Sequence, residues 1–458
     1  MVFGMDRPCR LELGGLQLEW CSWKQSDGTE SPILEEQESN PAEKQKVKYG
    51  ELVILGYNGF LPPGDRGRRR SKFVLYKRDD PNGVKRSRHY VVTTPHSSKA
   101  ILDSKQHSIS YTLSRNQAVI VEYMLDEETD MFQIGRSSES PIDFVVMDTI
   151  PGDKSGESKV LQSTISRFAC RILADRSNPR IARIYAAGFD SSRNIFLGEK
   201  ATKWQEARGE IDGLTTNGVL IWHPRGNFCG GEVKPGLWRE VSVGGGIFSL
   251  RPSRSAQQKG EMVEDETNVL QDGTLIDLCG ATLLWRSAEG LAKSPTKKDL
   301  EMLVDALNAG RPQCPVGLNT LVIPRKLTLT MSDSTNEKQQ PYVYLNCGHV
   351  QGLHDWGQEK DSLSRRCPMC LEMGPVVKLC MGIEPAFYVD IGPPEDVGPP
   401  TFAFNPCGHM ATEKTVKFWV NVPIPHGTNG FDAVCPFCAT PLVGSPGYVR
   451  LIFQDNVD

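Results

Sequence analysis

One set of metal-binding side chains is written twice near the C-terminus of this chain. The first copy is Cys347, His349, Cys367 and Cys370, and the second is Cys407, His409, Cys435 and Cys438. In each copy a Cys-Gly-His triplet precedes a Cys-Pro-X-Cys quartet. Three sulfurs and one imidazole make a full tetrahedral ligand set for one zinc ion. We therefore predict two structural zinc ions (Zn), with no coordination position left open for a substrate.

The sequence leaves the assignment of ligands to ions open. One ion per copy would leave 17 residues between His349 and Cys367 and 25 between His409 and Cys435. An interleaved arrangement would place both Cys-Gly-His triplets on one ion and the four remaining cysteines on the other. Further cysteines and histidines lie near enough to be alternate ligands. These are Cys314, Cys380, His354 and His426.

Two classes of enzyme share part of this pattern. Thiol redox sites also use Cys-Pro-X-Cys, but they need a helix after the motif, and here Pro375 and Pro441 follow closely. A zinc deaminase would carry a His-X-Glu whose glutamate shuttles protons, whereas His349 and His409 are each followed by two uncharged residues. The motifs therefore favour structural metal sites over both enzymes.

Composition narrows the class of protein further. The 458 residues carry 52 Lys and Arg against 56 Asp and Glu, a formal charge of -4 that does not indicate nucleic-acid binding. Eight of the 13 cysteines fall between Cys314 and Cys438, as expected for metal ligands in a reducing compartment. No apolar run reaches the roughly 18 residues of a membrane span, and the N-terminus lacks signal-peptide character. We predict a cytoplasmic protein.

The chain divides into regions of different composition. Residues 1–45 are rich in Glu, Gln, Ser and Pro and are predicted to form a disordered tail. Residues 46–290 contain many short β-type runs between turn residues, which predicts an antiparallel sandwich. Leu300, Leu303, Val304 and Leu307 have helical spacing, so we predict a linker helix within 291–310. Residues 311–458 have little core of their own and are expected to need zinc to fold.

A basic segment at about 61–107 is predicted to be an insertion in the sandwich. Its charged residues are Arg66, Arg68, Arg69, Arg70, Lys72, Lys77, Arg78, Lys85, Arg86 and Arg88. Such a charge run is usually a solvated surface. Its apolar residues at 73–76 and 90–92 suggest a β-hairpin arm, and the Ser and Thr residues beside the basic side chains are possible kinase targets.

The second copy of the zinc motif, together with Trp419, resembles the second half of a RING finger. The doubled Cys-His-Cys-Cys order resembles the RING-like domain of the Pellino ubiquitin ligases, although the Cys-X-X-Cys expected just after each Cys-X-His is absent. This resemblance implies a ubiquitin-protein ligase that contains no catalytic residue of its own. Such a protein binds a ubiquitin-conjugating enzyme and ubiquitin.

The β-rich half resembles a forkhead-associated (FHA) domain, a β-sandwich whose loops bind phosphothreonine. The resemblance is carried by Gly135-Arg136, Ser166-Arg167 and Thr216-Asn217-Gly218, in that order. It implies phosphopeptide binding by Arg136, Ser166, Arg167, Thr216 and Asn217. Chemically, an arginine fork matches phosphate oxygens, a hydroxyl adds a charge-assisted hydrogen bond, and an asparagine amide can hold a peptide backbone. Such domains usually carry a histidine shortly after the Ser-Arg, whereas here Phe168-Ala169-Cys170 follows.

Together these features predict a mainly β protein, with a forkhead-associated-type sandwich followed by a small two-zinc RING-like domain. Resemblance to Pellino implies threonine-phosphorylated partners of the interleukin-1-receptor-associated kinase type, in Toll/interleukin-1 receptor innate immune signalling. The main alternative is a non-catalytic phosphopeptide-binding scaffold whose zinc domain only docks proteins. Nucleic-acid binding through the zinc modules is disfavoured, because residues 340–458 mix acidic with basic side chains.

Overall fold

The structure is a computed structural model of the chain. It describes residues 10–13, 16–19, 46–57, 71–93, 99–103, 105–147, 149, 165–205, 209–230, 236–325, 338–358, 364–393, 395–426 and 430–454. Most of the predicted disordered tail lies outside these residues, as do Arg66, Arg68, Arg69 and Arg70. Within the tail, β1 (Arg10–Leu13) and β2 (Leu16–Glu19) pair as an antiparallel hairpin.

Two compact units make up the chain, and the first lies largely within Ser31–Ala292. It is built almost entirely of strands. Its first strands are β3 (Lys48–Tyr57), β4 (Lys72–Tyr76), β5 (Gly83–Val92), β6 (His107–Ser114), β7 (Gln117–Asp126), β8 (Thr129–Gly135), β9 (Phe144–Val145), β10 (Cys170–Asp175) and β11 (Ala182–Ala186). The others are β12 (Asn194–Leu197), β13 (Lys203–Gln205), β14 (Ile211–Gly213), β15 (Leu220–Trp222), β16 (Trp238–Val241), β17 (Ile247–Phe248), β18 (Leu275–Asp277) and β19 (Ala281–Ser287). Two short helices are α1 (Lys99–Leu102) and α2 (Ala288–Lys293).

Mostly antiparallel sheets form the first unit, as the sequence predicts. Seven strands are ordered β17-β16-β15-β18-β19-β3-β4, and two four-stranded sheets are ordered β11-β10-β8-β9 and β12-β6-β7-β5. The pair β13-β14 is separate, and β12-β6 and β8-β9 are parallel. Leu52, Ile134, Ile109 and Trp285 from the three larger sheets share one buried core. This shared core holds the sandwich together by burying apolar area from each sheet.

The basic segment does not form the expected hairpin arm. Strand β4 pairs with β3 at the edge of the seven-stranded sheet, whereas β5 pairs with β7 in another sheet. The reason is packing, because Leu75 is fully buried in the core and Phe73 stacks on Phe144. Several basic residues are paired with carboxylates. These pairs are Lys72–Glu51, Arg78–Asp143, Lys85–Asp126, Arg86–Glu210 and Arg88–Glu122.

One partly buried histidine that packs against the core, His107, should make the stability of this unit depend on pH. Burial, with the nearby charges of Arg193 and Arg171, lowers the pKa of His107 to about 4. The unfolded chain takes up this proton near pH 6.5, so it binds more protons than the folded chain between about 6.5 and 4. Stability is therefore lost as the pH falls through this window, by at most about 2 kcal/mol between pH 7 and pH 5.

The variant His107→Phe should reduce that pH dependence without removing it. Phenylalanine preserves the edge-to-face contact with Phe189, where the ring centroids lie 4.8 Å apart. His223, whose pKa burial also lowers, remains in both proteins. The measurement is the urea midpoint of the full chain at about pH 7 and about pH 5. An equal shift of the midpoint in both proteins would contradict the assignment to His107.

The second unit lies largely within Lys293–Ile424 and Asp432–Asp458. It begins with α3 (Lys297–Ala309), the helix that the sequence predicts. Thr296 and Asp299 form a capping box at its start, and Gly310 follows its end. Asn308 exchanges two hydrogen bonds with the backbone of Ile323, of 2.8 and 3.1 Å. These bonds attach the helix to the second unit.

Small sheets, a 3₁₀ helix and a short α-helix follow α3 in the described residues. The first elements are β20 (Tyr342–Tyr344), β21 (Val350–Gln351), β22 (Ser364–Arg366), β23 (Met373–Lys378), β24 (Cys380–Met381) and the 3₁₀ helix Pro385–Phe387. The last are β25 (Phe402–Phe404), β26 (His409–Ala411), α4 (Glu413–Trp419), β27 (Ile424–His426), β28 (Gly430–Asp432) and β29 (Tyr448–Arg450). Two four-stranded sheets have the orders β21-β20-β23-β22 and β24-β26-β25-β29. The first sheet and its turns carry the first copy of the repeated motif, whereas the second sheet carries Cys407 and His409 of the second copy.

None of the helices in the described part of the chain is both long and apolar enough to cross a bilayer.

Candidate metal centres and phosphopeptide-binding loops

The eight repeated cysteines and histidines converge in two separate groups. Cys347, His349, Cys367 and Cys370 form one group, and Cys407, His409, Cys435 and Cys438 form the other. Within each group the potential ligand atoms all lie within 4.8 Å of one another. The structure therefore favours one ion per copy of the motif over the interleaved arrangement.

The Cys-Gly-His triplets form identical tight turns. Gly348 and Gly408 have φ angles of +81° and +75°, in the left-handed region that favours glycine. Their amides donate to Tyr344 O and Phe404 O, the last carbonyls of β20 and β25. A Cβ atom on Gly348 would lie 2.0 Å from Arg450 O, and one on Gly408 would lie 2.1 Å from Lys378 O. Any larger residue would therefore displace the ligands on either side.

The Cys-Pro-X-Cys quartets also share one backbone geometry. The residue after each quartet, Leu371 or Ala439, has a positive φ and donates its amide to the carbonyl of the first cysteine at 2.8 Å. Both first cysteines, Cys367 and Cys435, are fully buried. This turn directs the two sulfurs of each quartet toward the same point as the sulfur and imidazole of the triplet.

The donor sets fit zinc in spacing as well as in chemistry. His349 Nδ1 lies 3.3 Å from Cys347 Sγ and 3.6 Å from Cys367 Sγ. Ligands around a tetrahedral zinc ion are separated by about 3.6 Å, given Zn–S near 2.3 Å and Zn–N near 2.0 Å. In the second group His409 Nδ1 is buried and has no hydrogen-bond partner among the described residues. A metal ion would satisfy that nitrogen.

Burial makes three of these thiols poor acids in the absence of a cation, whereas hydrogen bonds lower the pKa of Cys370 and Cys438. Burial raises the pKa of Cys347 to about 12 and raises the pKa of Cys407 and Cys435 well above the usual value. Thiolates in such an environment need a positive charge, which a divalent ion supplies. The groups can therefore bind two metal ions with all four protein ligands each, as closed structural sites do.

Three of the alternate ligands belong to neither group. Cys314 Sγ accepts a hydrogen bond from Gly317 N at 3.3 Å, and the buried Cys380 points its sulfur at Met381 O. The side chain of His426 lies outside the described residues. His354 is bonded to Gln351 Oε1 at 2.7 Å. The positions of Cys314, Cys380 and His354 therefore give no support to their use as alternate ligands.

Gln351 is a residue of the site that the sequence analysis missed. Its side chain is fully buried, and Nε2 donates to Cys367 Sγ at 3.5 Å. Such a hydrogen bond orients a thiolate ligand and tunes its charge. The only signal in the sequence is its place two residues after His349, which does not distinguish it from any other polar residue.

The third residue of the Cys-Pro-X-Cys quartet has a different environment in each copy. Phe437 packs against Phe387, Phe404 and the ring of His409. Met369, at the same place in the first copy, is half exposed. Trp419 is 1% exposed and donates its Nε1 hydrogen to Phe387 O at 2.8 Å. Trp419, part of the resemblance to RING fingers, is therefore a core residue here.

Three of the predicted phosphopeptide residues lie together at one end of the sandwich. Arg136 N donates to Ser166 O at 3.2 Å, and Arg136 Nε donates to Ile165 O at 2.8 Å. A Cβ atom on Gly135 would lie 2.0 Å from Arg167 O, so glycine permits this close approach. Arg167 is exposed, 3.8 Å from a carboxylate oxygen of Glu139. The segment after β8 and the segment before β10 thus form one surface.

Thr216 and Asn217 lie in a different loop, between β14 and β15. They are the central residues of a turn closed by a hydrogen bond from Gly218 N to Thr215 O, 3.2 Å long. Thr216 is exposed and Asn217 is partly exposed. Gly213, at the start of this loop, accepts a hydrogen bond from Val243 N, and Ala186, the last residue of β11, donates its amide hydrogen to Ser242 O. Because Ser242 and Val243 are adjacent, this loop and the end of β11 lie at the same end of the core strands.

Family models match nearly the whole chain. Residues 40–303 match the Pellino FHA domain, and residues 307–458 match the Pellino RING domain. The chain belongs to the Pellino family. The first 39 residues lie outside both matches.

Pellino relatives from several animals match this chain over almost their full length. Protein pellino of Drosophila melanogaster is 74% identical over 95% of this chain and 100% of its own. E3 ubiquitin-protein ligase pellino homolog 2 of Homo sapiens is 60% identical over 91% of this chain and 97% of its own. E3 ubiquitin-protein ligase pellino homolog 3 of Mus musculus is 55% identical over 91% and 92%. These names agree with the ligase class that the Pellino-like motifs predict.

Proposed function

We propose that this Pellino-family protein is a RING-type ubiquitin ligase that recruits threonine-phosphorylated proteins through its sandwich. The observation that carries the proposal is the pair of closed ligand groups in a segment that matches a Pellino RING domain. Two relatives, 60% and 55% identical, bear the name E3 ubiquitin-protein ligase. A metal held by four protein ligands has no position for substrate, so its task is to shape a docking surface.

The proposed mechanism assigns no nucleophile or base to this chain. A ubiquitin-conjugating enzyme carries ubiquitin as a thioester, and a substrate lysine amine attacks the thioester carbonyl. The isopeptide bond forms as the thiol leaves. The second unit binds and orients the conjugating enzyme while the sandwich holds the substrate, which turns an encounter of separate molecules into a reaction within one complex.

Substrate recruitment is assigned to Arg136, Ser166, Arg167, Thr216 and Asn217. A guanidinium fork can bind two phosphate oxygens, and the hydroxyl groups add charge-assisted hydrogen bonds. The surface formed by Arg136, Ser166 and Arg167 supports this assignment, as does the exposed turn at Thr216. We assign the substrates to the interleukin-1-receptor-associated kinase type in Toll/interleukin-1 receptor signalling, and the site of action to the cytoplasm, where a reducing environment preserves thiolate ligands.

A reconstituted reaction tests the proposal. It contains activating enzyme, conjugating enzyme, ubiquitin, ATP and an interleukin-1-receptor-associated kinase, either threonine-phosphorylated or treated with phosphatase. We expect chains on the phosphorylated kinase and far fewer on the treated one, because only phosphate engages the loops. Chains that do not exceed the background of the conjugating enzyme would identify a non-catalytic scaffold instead. Equal modification of both kinase forms would refute phosphate-dependent recruitment but would still support ubiquitin-ligase activity.

A further inference from the structure

The turn that carries Thr216 and Asn217 rests on two arginines from one short segment. Arg251 Nη2 donates to Thr215 O at 3.0 Å, and Arg254 Nη1 donates to Asn217 O at 3.3 Å. The carbonyls of the first and third residues of the turn therefore face guanidinium groups. In a trans peptide the N–H points opposite to the C=O, so the N–H of Thr216 points away from Arg251.

Each of these two arginines contacts a buried carboxylate. Arg251 makes two hydrogen bonds with Glu240, of 2.9 and 2.6 Å, and both side chains are 2% exposed. Arg254 contacts Asp277, whose side chain is fully buried. Asp277 also accepts hydrogen bonds from Cys279 N and Thr282 Oγ1, both of 2.9 Å, in the turn between β18 and β19. The guanidinium groups are thus fixed by charge and by geometry.

Gly218 allows the turn to lie directly on this pair of ions. Its φ is +70°, and a Cβ atom there would lie 2.6 Å from Glu240 Oε1. The glycine is therefore needed for both conformation and space. With both ends held, the exposed central residues have little freedom left to lose when a ligand binds.

We propose that Arg254 is a positioning residue for phosphothreonine-peptide binding, because it joins the carbonyl of Asn217 to Asp277 and so orders the exposed turn. This inference rests on the proposed function of the sandwich. Arg254 does not contact the peptide itself. Lysine at this position can keep the charge beside Asp277 but lacks the planar fork that reaches two acceptors at once.

The variant Arg254→Lys tests this role in the full-length chain. The probe is a fluorescent pool of short peptides with one central phosphothreonine and randomised flanks, and the readout is the dissociation constant. Loss of one hydrogen bond from a charged donor predicts about tenfold weaker binding. Arg239→Lys is the matched control, since Arg239 and Arg254 have equally exposed side chains (17%). Arg239 pairs with Glu266 at 2.7 Å, and among the described residues its side chain makes no hydrogen bond or ion pair with the turn.

The outcomes separate this inference from the function on which it rests. Weaker binding by Arg254→Lys but not by Arg239→Lys, with similar melting temperatures, supports the inference. Binding by Arg254→Lys as tight as that of the unaltered chain overturns it, provided that Arg136→Ala abolishes binding. If the unaltered chain does not bind the phosphorylated peptides, the proposed function of the sandwich is refuted together with this inference. Should Arg254→Lys unfold, the double variant Arg254→Ala with Asp277→Asn removes both charges, and the same affinities decide.

Discussion

Replacing Cys435 with alanine should remove one metal ion from the chain and abolish ubiquitin-chain synthesis. Cys435 is fully buried and is one of the four potential ligands in the second group. Structural zinc contributes about 10–16 kcal/mol to the folding of small domains, as much as the whole stability of a typical domain. The segment around β25, β26 and α4 should therefore unfold. Metal content, limited proteolysis and a chain-synthesis assay measure the three effects.

Cys380 provides the matched control for this variant. It is 2% exposed and lies beside the second group, where β24 pairs with β26, but it is not one of the clustered ligands. Alanine there removes a buried sulfur and should cost only on the order of 1 kcal/mol. We expect Cys380→Ala to keep two ions and its ligase activity. Retention of both ions and of full activity by Cys435→Ala would refute the metal assignment.

Replacing Arg136 with alanine should abolish binding of phosphothreonine peptides while the fold is retained. A guanidinium that binds a phosphate through two charge-assisted hydrogen bonds contributes several kcal/mol, so affinity should fall by roughly 100-fold or more. Loss of the Arg136 bond to Ile165 O should lower the stability by about 1 kcal/mol. Calorimetric titration with a phosphothreonine peptide, beside a thermal melt, separates the two effects.

Two companion variants sharpen this test. Arg183→Ala, at a partly buried arginine of β11 outside the proposed loops, should bind the peptide normally. Arg136→Lys keeps the charge without the fork and should lie between the alanine variant and the unaltered chain. If Arg136→Ala binds with unchanged affinity, the sandwich has no phosphate site at Arg136.

The zinc ligands could be predicted from the sequence because their chemistry is local. A metal site needs particular side chains at close spacing, and two copies of the same order leave few other interpretations. The assignment of four ligands to each ion could not be predicted from the sequence, because the two sheets that separate the copies form only in the folded unit. The hydrogen bond from Gln351 to Cys367 and the burial of Trp419 depend on which residues the fold places beside them. A glutamine or a tryptophan in the sequence does not by itself indicate either role.

The basic segment shows the opposite case, in which a sequence pattern was misleading. Its two apolar runs suggest the arms of a hairpin, yet β4 and β5 pair with different partners. A short apolar run indicates a strand but carries no information about which strand lies beside it. The pairing of β4 depends on burial of Leu75 in the common core and on packing of Phe73 against that core.

By itself, the sequence determined the mainly β class, the capped helix α3 and the eight metal-binding side chains. These depend on residue types and on spacings of a few positions, which act before any long-range contact forms. The tertiary structure alone decided which four ligands share an ion, which strands are neighbours, and that Arg251 and Arg254 hold the turn at Asn217. Such contacts join residues tens of positions apart, and only a packed core can bring them within hydrogen-bonding distance.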